Sequence, residues 1–506
     1  MNNNIDGIVQ TATNIWLMKI SAVSNASHTL AYSIIALQEM NLAYKYPIVY
    51  WNTANLIVDS GGIQTFEDED EDEEVEIIEE DNDEEDEDEE EWEKANDNEI
   101  KNNEDKKKKK VKNIDYGRIA SIIGKMKNYG IQVSPPDINK SSFTFTPIAQ
   151  DNIILYGLRG ITRISSEKIN SIISNRPYSS LQDFLQKNHT NKLQTLNLIK
   201  SGAFDLIEAK PREQIMHDYI DSITDKKNRL TLQNMAMLIE KDLIPEEMIK
   251  YKKIFLFNKY LKTCKSGIYY MLNDAAINFI DKYYDINQTE NGDRIIQKLW
   301  DKYYTKVMEP MRQYLKENQD VMLSKLNQSL YDDVAEKYTE GNISKWEMDS
   351  ISFYYHEHEL FKAARLYDDF YSLPEEPQLE QVVTNKKGQE FKIWKLHQII
   401  GTVIDKDKMH NTVTLLTPTG VVIVKIYKNQ FALYDKQISE RDEEGKKHVL
   451  EKSWFTRGNK LLIQGFRRGN DFIPKQYKSS PMPILAKIIN IDDYGNLEFQ
   501  YSRMEE

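Results

Sequence analysis

The order of apolar and polar positions separates the chain into stretches of period near 3.6 and one long stretch of period 2. Between residues 15 and 56 apolar side chains recur at helical spacing, with Leu30, Ile34, Leu37 and Met40 on one side and Pro47 interrupting near the end. Ile119, Ile122, Ile123 and Met126 predict a second helical face. Pro135 and Pro136 then remove two backbone donors and push Ser134 towards an extended conformation, and Asp137 and Asn139 favour a turn. After a short alternating run, Gly157 and Gly160 open an apolar helical pattern through Ile161, Ile164, Ile169, Ile172 and Ile173, with Ser165 and Ser166 as cap candidates. Residues 131–161 and the pattern they open therefore read as a tight hairpin between helices. Leu181, Phe184 and Leu185, followed by Leu193, Leu196, Leu198 and Ile199, predict a second short helical pair. From about residue 211 to 373 the chain is helical, aromatic, charged and poor in glycine, as a helical connector would be. The period changes at residue 397. Residues 397–431 read as three strands with turns at 405–410 and 418–420, and residues 454–477 add a hairpin pivoting on Gly469 and Asn470. Five short strands with such turns suggest a small barrel of the oligonucleotide-binding (OB) type.

Composition sharpens this picture at two places. The 506 residues suit roughly three or four domains. The net charge of −15 argues against a polyanionic partner until its distribution is considered. Residues 67–110 carry 26 of the 81 acidic side chains and 7 of the 66 basic ones, which leaves 55 acidic against 59 basic elsewhere, a balance of +4. The acidic run at 67–93, followed by Lys106 to Lys110, repels itself and cannot bury a core, so disorder is expected there. It is either a solvated spacer or a polyanion mimic that competes with DNA for the protein's own basic surface. The single cysteine, Cys264, excludes a disulfide within the chain. The first residues lack a basic flank followed by an apolar core, and no run suits a bilayer, so a cytoplasmic protein without membrane contact is expected.

Four stretches carry candidate chemistry. SNASHTLAYS places Ser24 or Asn25 at a plausible N-cap with Ser27 and His28 in the first turn, where backbone donors favour an anion such as a triphosphate; a capped buried helix explains the same pattern. In RLTLQNMAMLIEKDLIP, Gln233 precedes Met235, Met237 and Leu238. That is either an amphipathic core helix or a short peptide whose apolar residues fill the pocket of a sliding clamp. His356 and His358, two apart, face different sides of a helix and are not expected to hold a metal. The barrel strands interleave cations and aromatics: Lys425, Tyr427, Lys428, Phe431, Arg457, Lys460, Phe466, Arg467, Arg468 and Phe472. Such a face can stack bases and neutralise the phosphates of a single strand, or it is the solvated rim of a plain barrel.

These residues resemble the C-family replicative polymerases of bacteria and phages, the alpha subunit of DNA polymerase III. SNASHTLAYSIIALQ with KYPIVYWNTANL is similar to the family's F-N-K-S-H-A-x-A-Y stretch in the fingers. IQVSPPDINKS is similar to V-L-P-P-D-I-N-x-S, LYGLRGI to Y-G-L-x-A-I, LIKSGAFD to L-I-x-A-G-A-F-D, and WEMDSISFYYHEHEL to E-K-E-x-L-G-F-Y-L-S-G-H-P-L. The resemblance implies a mainly α, multidomain chain ending in an OB-type β-barrel. Its parts would be a C-terminal fingers segment over 1–64, an acidic and lysine-rich insert over 65–113 and the end of the fingers over 114–145. Tandem helix-hairpin-helix units would follow over 146–208, a helical connector with possible clamp contact over 209–385, and the OB fold over 386–506. It further implies an incoming nucleotide near Asn25, Ser27 and His28. Duplex DNA would lie against Gly157, Arg159, Gly160, Thr162, Arg163, Ser165, Ser166 and Lys168, held through backbone amides and phosphates. A sliding clamp would meet Gln233, Met235, Met237 and Leu238. A single strand would meet Lys425, Tyr427, Lys428, Arg457, Lys460, Phe466, Arg467 and Arg468.

The departures are equally informative. Ala26 stands where the family has lysine, and Arg163, Ile164 and Ser165 stand for its G-V-G. The P-D-x-D-x-D carboxylates of the palm and the histidine-rich phosphoesterase domain have no counterpart in the sequence. The expectation is thus the C-terminal part of a split polymerase, of phage origin and working in the host cytoplasm. It would bind primer–template DNA and complete a DNA-directed DNA polymerase with a palm-bearing partner that holds Mg2+, no cofactor being bound by this chain. The alternative is a non-catalytic DNA-binding processivity or adaptor protein descended from such a polymerase.

Overall fold

A computed structural model describes residues 26–59, 114, 116–127, 130–264, 267–272, 276–277, 279, 289–290, 294–384, 390–441, 447–477, 482–492 and 494–503. The chain divides into two compact units, Met1–Ala209 with Ile343–Glu506, and Lys210–Asn342.

In the first unit, helices α1 (Ala26–Lys45) and α2 (Ile48–Asp59) meet at Pro47, where the missing amide breaks the ladder. Val49, Thr53 and Leu56, at i, i+4 and i+7, form the buried face of α2. This face packs on α3 (Tyr116–Lys127) and on two of the three strands that follow, β1 (Gln132–Ser134), β2 (Thr146–Ile148) and β3 (Ile153–Leu155). The strands form one sheet in the order β1-β3-β2, with β1 parallel and β2 antiparallel to β3. Pro135 ends β1, and the turn beyond it is held by Asp137: its Oδ1 accepts from Asn139 N at 2.8 Å, and its own N–H donates to Ser141 Oγ at 2.9 Å. Three short helices complete this part, α4 (Ser166–Ser174), α5 (Leu181–Lys187) and α6 (Lys192–Lys200). The expected helix leading into the first hairpin is not there. The incoming arm is β3 followed by a three-residue 3₁₀ turn, Leu158–Gly160, because β-branched Ile153 and Ile154 pair with strands on both sides.

The second unit holds α7 (Arg212–Ile223), α8 (Met235–Glu240), α9 (Ile249–Tyr260), a small antiparallel sheet, α10 (Gln297–Val307), α11 (Glu309–Glu317) and α12 (Gln319–Tyr338). The sheet is built from β4 (Lys262–Thr263), β5 (Tyr269–Met271), β6 (Thr289–Glu290) and β7 (Arg294–Ile296) in the order β4-β5-β7-β6. Its core gathers Met235, Leu238, Tyr251, Ile254, Met308, Met311, Leu315 and Leu326. The connector expected over 209–385 is therefore shorter, Lys210–Asn342, and carries strands as well as helices. Strands of two or three residues leave no period-2 run long enough to read.

From Ile343 the chain rejoins the first unit. Helix α13 (Ile343–Ile351) packs on α6, and α14 (Phe361–Ala364) precedes an exposed ribbon of β8 (Leu379–Thr384) and β9 (Glu390–Trp394). Then come β10 (His397–Asp407), β11 (Thr412–Thr417), β12 (Gly420–Lys425), α15 (Lys428–Asp435), the hairpin β13 (Ile438–Arg441) and β14 (Lys447–Glu451), β15 (Lys460–Arg468) and β16 (Asp471–Pro474). Five of these close a barrel, β10-β11-β12-β16-β15 and back to β10, all pairs antiparallel except β12 with β16. Val403, Val413, Leu415, Val422, Val424, Leu461 and Ile463 point inward and pack around Phe472, Phe455 and Trp454. Gly465 sits where β15 crosses β16 so closely that a Cβ would lie 2.1 Å from Ile473 O. Two further strands, β17 (Leu485–Ile491) and β18 (Leu497–Gln500), extend the sheet from β15. The described chain is thus mixed helix and sheet, where a mainly helical chain was expected. Ala120 of α3, Met348 of α13, Tyr354 and the barrel's Ile404 and Leu416 share one core, which fastens three distant parts of the sequence together.

Candidate nucleic-acid interface

The first hairpin turns on residues 161–165. Ser165 is the N-cap of α4, its hydroxyl accepting from Lys168 N at 3.4 Å, so the helix begins at Ser166 and the preceding Ile161 and Ile164 are buried turn residues. Arg163 is exposed and holds φ +62°, a left-handed conformation that glycine adopts without a Cβ penalty. The first-turn amides of α4 have no acceptor within the helix and, with the helix dipole, suit an anion such as a phosphate, although Glu167 opposes one there. Lys168 Nζ donates to His189 O at 2.7 Å, which ties this hairpin to the second one.

The second turn, residues 188–191, is anchored by Asn188. Its Nδ2 donates to Tyr178 OH at 2.8 Å, and Asn175 Nδ2 donates to its Oδ1 at 3.2 Å. Asn191 and Gln194 form a reciprocal capping box at the start of α6. That helix ends in a Schellman turn: Gly202 at φ +85° donates to Ile199 O, and Ala203 N to Leu198 O. Ile138 N donates in turn to Ala203 O at 2.9 Å, and Asn139 exchanges two 2.8 Å bonds with the Tyr178 backbone. The PPDIN and KSGAFD stretches thus brace each other. Exposed Lys187, His189 and Lys192 around this turn were not singled out in the sequence, although the N-x-x-Q spacing of the capping box is a signal from which the turn could have been found.

Several residues expected to face duplex DNA point inward. A Cβ on Gly157 would meet the Thr144 backbone at 2.5 Å, and one on Gly160 would meet the Tyr156 ring at 2.3 Å, so both glycines serve close packing. Thr162 is held by α13 and α6: its N–H donates to Ser350 O (2.8 Å), its hydroxyl to Asp349 O (3.1 Å), and Asn197 Nδ2 donates to its carbonyl (2.9 Å). Tyr156 OH donates to Ile351 O at 3.0 Å, and burial pushes its phenol up. Burial also raises the Asp349 carboxyl, with Lys200 3.6 Å away. Arg159 is half-buried, Arg163 and Ser165 are exposed, and Ser166 and Lys168 are partly exposed.

The barrel residues divide in the same way. Arg467 is buried: its guanidinium lies 4.7 Å over Phe370 and donates to Leu373 O (2.9 Å) and Gly469 O (2.8 Å). Lys460 pairs with Glu359 at 2.9 Å, and Arg457 lies over Tyr116 and donates to Ser352 Oγ at 3.0 Å. Phe466 is buried near Trp394, and Phe431 and Phe472 are core. Phe431, Phe466, Arg467 and Phe472 hold the fold and have no ring or charge to offer a strand, whereas Arg457 stays exposed and Lys460 partly exposed beside their partners. Lys425, Tyr427, Lys428 and Arg468 stay exposed, Lys425 beside Asp471 at 2.6 Å, with exposed Met409 and Lys408 on the β10–β11 turn.

The clamp-peptide reading is overturned. Met235 and Leu238 are 0% exposed and Met237 packs against the same core, leaving only Gln233 at the surface. A docking peptide must present its apolar side chains outward. Asn25 lies outside the described residues, as do the side chains of Ser27 and His28, whose backbone is in the first turn of α1. His356 and His358 lie beyond α13 in irregular chain, not on a helix. His356 Nδ1 meets the buried Glu347 at 2.7 Å, and His358 bonds to the barrel. Among the described residues, no group of three or more His, Cys, Asp or Glu side chains could hold a metal ion, and no helix is long and apolar enough to cross a membrane.

Residues 130–215 match the family model described as a helix-hairpin-helix motif. Along 94% of its length the chain is 38% identical to the probable DNA polymerase YorL of Bacillus subtilis and to the DNA-directed DNA polymerase of Bacillus phage SPbeta, covering 35% of each. A shorter stretch, 20% of the chain and 9% of the relative, is 31% identical to the DNA polymerase III alpha subunit of Thermus aquaticus. The chain thus resembles DNA polymerases, DNA polymerase III alpha subunits among them, and it spans about a third of the length of the relatives that it matches almost throughout.

Proposed function

We propose that this chain is the DNA-gripping C-terminal portion of a polymerase of the DNA polymerase III alpha kind, which works as a DNA-directed DNA polymerase together with a palm-bearing polypeptide. The observation that carries this reading is the match along nearly the whole chain to two polymerases of which it covers about a third. The two hairpins, linked through Lys168 and His189, hold duplex DNA in the minor groove through first-turn amides and the side chains of Arg163, Ser165 and Lys168, without reading sequence. The strand order of the barrel, its one parallel pair β12–β16, and α15 between the third and fourth strands support an OB fold. On that fold Tyr427 stacks a base of the single-stranded template while Lys425, Lys428 and Arg468 meet its phosphates.

Polymerisation requires two metal ions held by fixed carboxylates, and the described residues do not fit that need. The Mg2+ ions are assigned to the partner's palm, and this chain's work is to bind and align the primer–template. Its grip is tested by titrating primer–template DNA at several salt concentrations. Affinity is expected to fall steeply, by roughly 10³ or more between 50 and 200 mM salt if six or more phosphates are neutralised. A flat salt response would contradict a phosphate grip.

A further inference from the structure

Helix α1 poses a problem that the DNA grip does not solve. Leu30, Ile34, Leu37 and Tyr44 follow one stripe at i, i+4, i+7 and i+14, and Ile35 and Leu42 lie on another, yet all six are exposed, Leu37 at 59% and Tyr44 at 87%. A helix that is apolar on two faces belongs in an interior, and apolar exposure of this extent marks an interaction surface. The helix is not adrift, because it continues through Pro47 into α2, whose Val49 and Leu56 are fully buried against the first unit. From residue 30 onward its charges are Glu39 and Lys45 alone, so it carries no basic stripe to follow a phosphate backbone.

We propose that α1 is a docking helix that inserts into an apolar groove of the polypeptide corresponding to the two thirds of the polymerase relatives that this chain does not match. The occupant is argued from length: the relatives carry that additional polypeptide, and this chain aligns to them over 94% of itself. Two apolar faces call for a groove that wraps the helix, not for a flat surface under a single stripe. The proposal rests on the split-polymerase reading for the identity of the partner, and on the exposure of α1 for the place of contact.

The test uses the full chain and, as probe, the palm-bearing polypeptide from the same genome. Binding is measured for the wild type, for the double substitution Ile34→Asp/Leu37→Asp, and for Leu206→Asp, an exposed apolar control outside α1. A thermal melt checks that each variant is folded. The double substitution is expected to weaken binding by tenfold or more on the order of magnitude scale of one lost contact cluster, and the control to leave it within about twofold. Equal binding by the double variant, or no binding by the wild type, overturns the proposal. So does self-association of the wild type that the double substitution abolishes, since a second copy would then cover the helix. Primer extension by the same mixtures separates the two claims. Binding that depends on α1 without any extension sustains the docking helix and removes the polymerase reading. Extension that survives the double substitution unchanged does the reverse.

Discussion

His358 shows how a single side chain can fasten the chain between the hairpins and the barrel. Its Nε2–H donates to Leu416 O at 2.9 Å, and its Nδ1 accepts from Leu360 N at 3.0 Å, so both ring nitrogens are satisfied only in the neutral form. Burial lowers its pKa from 6.5 to about 4, Lys460 adding to the effect while the bond to Leu416 and the charge of Glu359 oppose it. The unfolded chain therefore takes up a proton before the folded one does. The stabilisation is complete above the ordinary value of 6.5 and is lost as pH falls towards 4. Discounted for partial exposure, the loss is about 2–3 kcal/mol. Urea midpoints measured at pH 7 and pH 4.5 should fall further for the wild type than for His358→Gln. An equal fall in both would show that another group governs the acid response.

At the scale of elements, the barrel was readable because its signals are local. Strand alternation, the 418–420 turn and the Gly469–Asn470 pivot are each contained in a short run of sequence, and the structure places β10, β11, β12, β15 and β16 on them. What a side chain does on that barrel was far less readable. Arg467 sits in the same run of cations and aromatics as Arg468, yet it is buried by Phe370 and Leu373, more than ninety residues earlier in the chain. Met235 and Leu238 make the same point in the second unit, because a core stripe and a docking peptide share one sequence pattern and only tertiary burial separates them. The first hairpin turn was legible from its cap, Ser165, whereas the Asn191 cap of the second turn went unread and the strand before the first turn was hidden by its three-residue length. Lys428→Glu with Arg468→Glu should weaken oligonucleotide binding by about tenfold with little change in stability. Arg467→Ala should destabilise the barrel by about 2–3 kcal/mol, since it leaves buried carbonyls without a donor. Measured affinities and unfolding midpoints with these two effects exchanged would reverse the assignment of rim and core.

At the scale of the whole molecule, the acidic charge is concentrated in one run, residues 67–110. Removing residues 67–110 would change the net charge from −15 to +4, so the shortened chain should bind primer–template DNA more tightly at low salt, the difference shrinking as salt rises. Equal affinities at low salt would mean that the acidic run has no electrostatic bearing on DNA. Catalysis by the assembled pieces is open to direct assay by primer extension. Extension is followed with this chain alone, with the palm-bearing polypeptide from the same genome alone, and with both mixed in the presence of Mg2+. Extension by the mixture should lie well above that of either component, and a mixture no better than the palm-bearing polypeptide alone would rule out the split polymerase.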